Sequence, residues 1–189
     1  MTNNTSIILI TGPSRSGKSE WAEMLATQTG KQVIYIATAK SDPEDSEWLS
    51  RIEKHQQRRP ADWTTLLVPH ELTATLQAHS CDHCCLLVDS LGTWVANCLN
   101  QDSVLWQKTL QDLLYSLKQV VGTVIFVAEE TGWGVVPAYP IGRQFRDRLG
   151  ELIRHLGRLA NPVYLVTGGH VLNLSILGSP LPYSTTQIR

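Results

Sequence analysis

The sequence lacks several features that mark particular classes of protein. Its 189 residues hold 16 Lys and Arg against 17 Asp and Glu, so the net charge is -1. Nucleic-acid-binding proteins usually carry a strong basic excess, which is absent here. No apolar run approaches the roughly 20 residues that a membrane-spanning helix needs, and the polar start MTNNTS does not resemble a signal peptide. We therefore expect no nucleic-acid partner, no membrane span and a cytoplasmic location.

Cysteine is also scarce. The four cysteines are Cys81, Cys84, Cys85 and Cys98, and three of them fall within five positions, a spacing that is not typical of a disulfide framework. The stretch 81–85 could suggest a metal site, but structural zinc usually needs a second ligand pair, and the sequence shows none. Because Cys84 and Cys85 enter an apolar run, we expect them to be buried as small hydrophobic residues.

What the sequence does contain is a regular alternation of strand-like and helix-like patterns. Apolar runs of strand length occur at 6–11, 33–37, 65–68, 84–89, 123–128 and 163–167, with an edge strand at 171–174. Helical patterns occur at 18–29, 45–59, 71–79, 91–99, 104–120 and 142–159. This alternation predicts an α/β fold, in which helices flank a mostly parallel sheet in a single domain over residues 1–189.

One motif lies between the first strand and the first helix. It consists of Gly12, Pro13, Ser14, Arg15, Ser16, Gly17, Lys18 and Ser19. This order fits G-x-x-x-x-G-K-[ST], the P-loop pattern, whose glycines let backbone N–H groups face phosphate oxygens. We expect Lys18 to reach the β- and γ-phosphates of a nucleoside triphosphate and Ser19 to bind Mg²⁺. A chance match is the alternative, but the required strand and helix flank the motif, which predicts a P-loop NTPase-like (RecA-like) fold.

A carboxylate ends the strand at 84–89. At that position Asp89 would sit beside the P-loop and could hold Mg²⁺ directly or through water. The alternative is that Asp89 caps the helix that follows it. Residues 89–92 also fit the D-x-x-G of GTPase switches, but no guanine-reading N/T-K-x-D follows in the chain, so we exclude a switch GTPase.

A basic segment at 51–60 contains one histidine. If the segment is helical, Arg51, His55 and Arg58 share a face. Neighbouring cations push a histidine towards its neutral form, and a neutral imidazole can attack phosphorus while the cations neutralise phosphate charge. The alternative is a solvated basic helix with an ordinary surface histidine.

Together these motifs resemble the bifunctional adenosylcobinamide kinase / adenosylcobinamide-phosphate guanylyltransferase family of cobalamin biosynthesis. The resemblance runs from about Ile8 to Leu174. It rests on ITGPSRSGKS at 10–19, YIAT at 35–38, RIEKHQQRRPADW at 51–63, LLVDSLGTWVANCL at 86–99, EETGWGVVPAYPIGRQFRDRLG at 129–150 and VYLVTGG at 163–169. The P-loop alone is shared by many families, whereas the segments at 51–63 and 129–150 are far more specific.

The resemblance implies two successive reactions. A nucleoside triphosphate, ATP or GTP with Mg²⁺, phosphorylates the aminopropanol hydroxyl of adenosylcobinamide. GMP then passes from GTP to adenosylcobinamide phosphate through a GMP–histidine intermediate, and His55 matches that nucleophile. The resemblance also implies a homo-oligomer, a trimer, with sites near subunit boundaries.

Further site residues follow from the resemblance by position. Nucleotide binding is expected at the P-loop and at Ala37, Thr38, Ala39, Gln56, Gln57, Arg58 and Arg59. Catalytic roles are expected for His55, Lys18 and Asp89, with Ser19 and Asp89 on the metal. The acceptor side is expected at Glu130, Gly132, Trp133, Arg143 and Arg146, although Arg146 and Asp147 could form a structural ion pair instead.

Two departures from the family pattern affect these expectations. The stretch 64–68 lacks the acidic residue that the family often carries there, and Glu129 stands where the family often has Asn. Two other functions stay open at this point: a small-molecule kinase that does not use His55, and a nucleotide-binding regulator without catalysis.

Overall fold

The computed structural model describes residues 5–40 and 59–182, and the strands of these ranges form one seven-stranded sheet. The strands are β1 Thr5–Gly12, β2 Gln32–Ala37, β3 Thr64–Leu67, β4 Cys84–Asp89, β5 Gly122–Glu129, β6 Val163–Thr167 and β7 His170–Asn173. The helices are α1 Lys18–Gln28, α2 Leu72–Ala78, α3 Leu91–Asn97, α4 Ser103–Ser116, α5 Pro140–Leu159 and α6 Leu174–Leu177.

The strand order is β3-β2-β4-β5-β1-β6-β7. All neighbouring pairs are parallel except β6 and β7, which are antiparallel. In such a sheet the carboxyl ends of the parallel strands share one edge, where ligands of open α/β folds bind. The order places β5 between β1 and β4, and this decides which acid lies next to the P-loop.

Alternating side chains of the strands supply two separate cores. On one face, residues such as Ile36, Leu86 and Phe126 are buried against helices α2 to α5. On the other face, Ile10, Tyr35, Leu87 and Ile125 are buried with Ala22 and Ala26 of α1. Since both faces of the central strands are covered, their sequences are nearly continuous apolar runs.

The structure confirms the α/β fold and the strands at all seven expected places. The runs at 84–89 and 163–167 have the expected bounds, and the other strands shift by one residue at one or both ends. The helix expected at 104–120 ends earlier, at Ser116, and that expected at 142–159 begins two residues earlier, with Pro140 at its first turn. The helix expected at 45–59 falls almost entirely outside the described residues.

The cysteine prediction needs correction. Cys81 and Cys84 form a disulfide, whereas their spacing suggested no such bridge. The expected burial of Cys84 is confirmed, since it lies in the hydrophobic core. The reason for the bridge is local: the chain turns between the two cysteines, and Cys84 N donates to Cys81 O at 3.0 Å. Cys85 and Cys98 are free thiols and buried, as expected for Cys85.

Within residues 5–40 and 59–182, no helix is both long enough and apolar enough to cross a membrane.

Candidate functional site

The loop after β1 has the backbone conformation of a phosphate cradle. Gly12, Arg15 and Gly17 have φ angles of 154°, 57° and 96°, and α1 begins directly afterwards at Lys18. A Cβ on Gly12 would lie 2.1 Å from the backbone oxygen of Val166, so no side chain fits there. The loop therefore wraps around the N-terminus of α1, where N–H groups are free to receive an anion.

Lys18 is held inside this loop. It is only 7% exposed, and its Nζ donates to Pro13 O at 2.7 Å. Burial lowers the pKa of Lys18, while the charges of Glu129, Asp89 and Glu130, in that order, oppose the shift. A cation is thus held among three carboxylates at the end of the sheet, where phosphate oxygens can replace Pro13 O as its partner.

Two hydroxyls complete the loop. Ser16 Oγ is buried and has no hydrogen-bond partner within residues 5–40 and 59–182, which is costly for a polar atom unless a ligand satisfies it. Ser19 is half-buried in the first turn of α1. This donor set suits a polyphosphate with Mg²⁺, because phosphate oxygens accept from N–H and O–H groups and Mg²⁺ prefers oxygen ligands.

The strand-end acid that pairs with Gly12 is Glu129, whereas Asp89 lies one strand further from the P-loop than its position at the end of a strand suggested, and its metal role stays a prediction. Strand β5 separates β4 from β1, so Gly12 pairs with Glu129, and Asp89 pairs with Val127 one strand further away. Strand order depends on long-range packing and cannot be taken from the run at 84–89 alone. Asp89 still lies close enough to influence Lys18.

Glu129 is tied to the helix that follows β4. Its Oε2 accepts from Gly92 N, in the first turn of α3, at 2.9 Å. Burial raises the pKa of Glu129, and Asp89 raises it further, whereas a hydrogen bond with Ser90 and the charge of Lys18 lower it. Glu129 therefore links β5, α3 and the P-loop lysine through one carboxylate.

Asp89 accepts a hydrogen bond from a tyrosine on the adjacent strand. The Tyr35 phenol donates to Asp89 Oδ2 at 2.8 Å. Burial raises the pKa of Tyr35, and Asp89 raises it further, so the phenol stays a donor. The capping alternative for Asp89 is not found, since Ser90 caps α3 by accepting from Thr93 N.

Arg59 reaches the same corner of the sheet. Its guanidinium carbon lies 3.4 Å from the centroid of the Tyr35 ring, a cation–π distance. Its Nη1 also donates to Thr65 Oγ1 at 3.3 Å. The charge of Arg59 opposes the rise in the Tyr35 pKa. The Arg59 cation therefore contacts the Tyr35 ring, and the Tyr35 phenol contacts the Asp89 carboxylate.

The other expected nucleotide-side residues divide into two groups. Thr38 is fully buried, and its hydroxyl donates to Ser90 O and accepts from Ser90 N, so it braces the chain instead of offering a free group. Ala37 ends β2 and is half-buried, as is Ala39. The second group, His55, Gln56, Gln57 and Arg58, lies outside the described residues.

The acceptor-side candidates lie on the segment between β5 and α5 and on α5 itself. Trp133 is 64% exposed, and Arg143 donates to Pro137 O at 3.0 Å and to Ala138 O at 2.7 Å. Arg146 pairs with Asp147 at 3.2 Å, so the alternative of a helix ion pair is observed. A cleft of 370 Å³ is lined by Gly132, Arg146, Asp147, Gly150, Glu151 and Arg154.

Glu130 lies apart from that cleft. Its Oε1 accepts from Thr11 Oγ1 at 2.6 Å, and its N–H donates to Gly12 O at 2.9 Å. The residue therefore belongs to the base of the P-loop as well as to the entrance of the 131–139 segment. The structure brings it together with Lys18, which its charge affects.

Three residues of the site were not predicted for it: Tyr35, Gly92 and Glu129. Glu129 had a signal, because it ends an apolar strand with a carboxylate as Asp89 does. Tyr35 is 54 residues from Asp89 in the sequence, and the residues around either of them do not predict that contact. Gly92 belongs to the D-x-x-G pattern and to the family-like stretch 86–99, and neither predicts its contact with Glu129.

Comparison with known proteins agrees with this geometry. The family model described as cobinamide kinase / cobinamide phosphate guanyltransferase matches residues 8–174. The bifunctional adenosylcobalamin biosynthesis protein CobP of Pseudomonas aeruginosa is 40% identical over 174 residues, covering 92% of this chain and 98% of its own. The corresponding CobU of Escherichia coli is 34% identical over 177 residues, covering 86% and 96%.

A solved structure supports the fold alone. The chain is similar to an ATPase from the type III secretion system of pathogenic bacteria, with a TM-score of 0.53 and 13% identity, over 91% of this chain and 53% of that one. The family match, in contrast, spans nearly the whole chain and includes the P-loop, Asp89 and the 131–150 region. The chain therefore belongs to the cobinamide kinase / cobinamide phosphate guanyltransferase family, whose members are transferases.

Proposed function

We propose that the protein carries out both reactions of its family, and that His55 carries GMP from GTP to adenosylcobinamide phosphate in the second. In the first reaction the aminopropanol hydroxyl of adenosylcobinamide attacks the γ-phosphorus of ATP or GTP, and the nucleoside diphosphate leaves. In the second, His55 attacks the α-phosphorus of GTP and pyrophosphate leaves. The phosphate of adenosylcobinamide phosphate then attacks the GMP–histidine, which gives adenosylcobinamide-GDP and frees the histidine.

The observation that carries this proposal is the buried Lys18 inside the loop that begins at Gly12. Burying an ammonium to 7% exposure costs free energy, which the neighbouring carboxylates offset only in part, since burial is the largest effect on the pKa of Lys18. A triphosphate offsets the remainder: its charge replaces Pro13 O at Nζ and satisfies the orphaned Ser16 Oγ. Charge that develops on phosphate oxygens during transfer is then met by donors that are already in place.

Ser19 and Asp89 are the residues we assign to Mg²⁺. Both offer oxygen, and both lie at the end of the sheet where the loop opens. When held there, Mg²⁺ would supply positive charge that offsets the negative charge of the phosphates. The Tyr35 hydrogen bond fixes one oxygen of Asp89, so the other oxygen, Oδ1, is the one we assign to the metal or to a water on it.

Support for His55 comes from its neighbour in the chain. Arg59 follows His55 by four residues and stacks on Tyr35 next to Asp89. Four residues of chain span at most about 14 Å. The proposal therefore requires only a short reach between the histidine and the corner of the sheet where the nucleotide binds.

The acceptor is assigned to the segment between β5 and α5. It carries a group of exposed apolar side chains, namely Trp133, Val135, Val136 and Tyr139, that suits a large corrin ring. Arg143 holds this segment by two main-chain carbonyls.

We also propose that the protein acts as a homo-oligomer, a trimer, in the cytoplasm, where nucleoside triphosphates are supplied.

Labelled nucleotides test the two reactions separately. The protein is incubated with adenosylcobinamide, Mg²⁺ and GTP that carries label at either the γ- or the α-phosphate. Label from the γ-position should appear in adenosylcobinamide phosphate, and label from the α-position in adenosylcobinamide-GDP, with release of pyrophosphate.

Two variants assign these steps to residues. His55→Ala should keep the γ-transfer and lose the α-transfer, whereas Lys18→Ala should lose both. His79→Ala, an exposed histidine at the end of α2, is the control and should behave as the wild type. The proposal fails if His55→Ala still forms adenosylcobinamide-GDP, or if the wild type transfers neither label.

A further inference from the structure

A second group of reactive side chains lies at the far end of β4 from Asp89. Cys81, His83 and Cys84 form the turn that enters the strand, and Cys84 is its first residue. Five residue steps separate Cys84 from Asp89, which corresponds to roughly 17 Å along the strand. The phosphate site therefore makes no use of this turn.

The turn is fixed by the strands on both sides of β4. Cys84 N donates to Cys81 O at 3.0 Å, and Gln32 N, at the start of β2, donates to His83 O at 2.9 Å. On the β5 side, a Cβ on Gly122 would lie 2.3 Å from Cys81 O and 2.8 Å from Cys84 O. The side chains of the turn are thus presented from a rigid backbone and not from a loose loop.

Three atoms of this turn have the chemistry of zinc ligands. One ligand atom from each of Cys81, His83 and Cys84 lies within 4.8 Å of the other two. Around a tetrahedral Zn²⁺, with bonds of about 2.3 Å to sulfur and 2.0 Å to nitrogen, neighbouring ligand atoms are about 3.5–3.8 Å apart. The two sulfurs are bonded to each other in the disulfide, so after reduction they would move apart to this spacing by rotation of the cysteine side chains.

We propose that, when its disulfide is reduced, the turn binds one Zn²⁺ per chain through Cys81 Sγ, Cys84 Sγ and a ring nitrogen of His83. The site has three protein ligands and an open fourth position for water. It is not a closed structural site, which explains why the sequence shows no second ligand pair.

The disulfide and the metal exclude each other, because sulfurs joined to one another cannot act as thiolates. A dithiol or a phosphine reductant converts the disulfide into two thiols and is itself oxidised. Zn²⁺ then binds both sulfurs and one imidazole nitrogen, and two thiol protons are released to solvent. Reducing conditions therefore favour the metal form and oxidising conditions the disulfide.

Cys84 is buried, so Cys81 and His83 are the two groups of the turn that solvent reaches. Cys81 is half-buried and His83 is exposed, so an ion can enter from solvent. Cys85 and Cys98 are buried free thiols outside the group, and burial raises the pKa of both, that of Cys85 to about 11. They are poor metal ligands and serve as internal controls.

Cobalt substitution tests the site directly. Protein without nucleotide is reduced with a phosphine, freed of reductant and titrated with Co²⁺ under anaerobic conditions. A tetrahedral thiolate site gives near-ultraviolet sulfur-to-cobalt charge transfer and intense visible bands, which should saturate at about one Co²⁺ per chain and disappear when Zn²⁺ is added. Cobalt on oxygen ligands at the P-loop gives no such charge transfer.

Variants assign the signal to residues. Cys81→Ser, at a half-buried position, should abolish the charge transfer, and His83→Ala should weaken Co²⁺ binding at least about tenfold. Cys98→Ala should retain the full signal, and the oxidised wild type should give none. The proposal is wrong if reduced, folded wild type gives no charge transfer, or if the signal survives in Cys81→Ser. Because this test uses no nucleotide or cobinamide, its outcome is independent of the proposed transferase reactions.

Discussion

The Tyr35 phenol donates a 2.8 Å hydrogen bond to Asp89 Oδ2, and the guanidinium of Arg59 stacks over the ring of the same tyrosine. Tyr35, which is buried, thus contacts both Asp89 at the end of β4 and Arg59. Arg59 is four residues after His55 in the sequence. The hydrogen bond from Tyr35 orients the Asp89 carboxylate through Oδ2.

Removal of the phenol should therefore affect both stability and metal-dependent binding. Tyr35→Phe keeps the ring under Arg59 but leaves Asp89 Oδ2 without its donor, so we expect a loss of about 1–3 kcal/mol in the free energy of unfolding. Urea unfolding measures this, and Mg²⁺-dependent GTP affinity should fall as well. Tyr115→Phe, at an exposed tyrosine of α4, should change neither quantity; an unaltered Tyr35→Phe would show that the hydrogen bond contributes little.

The contact between Glu129 and Gly92 predicts a coupled pair of substitutions. A Cβ at position 92 would lie 2.1 Å from Glu129 Oε2, so Gly92→Ala should displace the carboxylate and cost about 1–3 kcal/mol. In a Glu129→Ala background the obstacle is gone, and the same substitution should cost much less. A double-mutant cycle by urea unfolding measures the coupling, and additive effects would contradict the contact.

Glu129 also predicts a pH dependence of stability. Burial raises its pKa above the usual 4.5, so the folded chain holds a proton that the unfolded chain has released. Wild type therefore loses stability as pH rises from about 4.5 through the folded pKa. Glu129→Gln does not titrate at position 129 and keeps an oxygen that accepts from Gly92 N. The difference in free energy of unfolding, variant minus wild type, should therefore increase as pH rises.

Urea unfolding between pH 4 and 8 provides that comparison. Asp112→Asn, at an exposed position of α4, is the control and should follow the wild-type curve. A Glu129→Gln variant that loses stability relative to wild type with rising pH would mean that the folded carboxyl is stabilised in its charged form.

The close approach of Gly12 to β6 predicts a selective loss of nucleotide binding. A Cβ there meets the backbone oxygen of Val166 at 2.1 Å, and main chain cannot move aside as a flexible side chain can. Gly12→Ala should therefore abolish measurable GTP binding at concentrations that saturate the wild type. Gly157→Ala, where the nearest atom is Leu9 Cδ2 at 3.8 Å, should bind GTP normally; calorimetry that finds Gly12→Ala equally competent would contradict the cradle.

Much of this architecture follows from local sequence patterns. The strand before Gly12 and the helix that begins at Lys18 are predicted by an apolar run and by the P-loop spacing, because each depends on neighbouring residues only. Ser90 illustrates the limit: the sequence left Asp89 as either a metal-side acid or the helix cap, and the residue that caps the helix is its neighbour Ser90, whose extended backbone places its side chain to accept from Thr93 N.

The unpredicted parts depend on long-range arrangement. Glu129 lies beside Gly12 because β5 lies between β1 and β4 in the sheet. The order of strands in a sheet cannot be predicted from the sequence of one strand alone. Tyr35 meets Asp89 because two parallel strands are in register with Ala37 opposite Asp89. The Cys81–Cys84 bridge depends on a turn whose direction the spacing alone does not give.

The central claim is that His55 carries GMP, and intact-protein mass spectrometry tests it most directly. Wild type, His55→Ala and His79→Ala are each incubated with GTP and Mg²⁺ in the absence of cobinamide, with GTP binding verified separately. The account predicts an added mass of one GMP in wild type and in His79→Ala, and none in His55→Ala. An adduct that persists in His55→Ala, or no adduct in a wild type that binds GTP, would contradict the histidine intermediate.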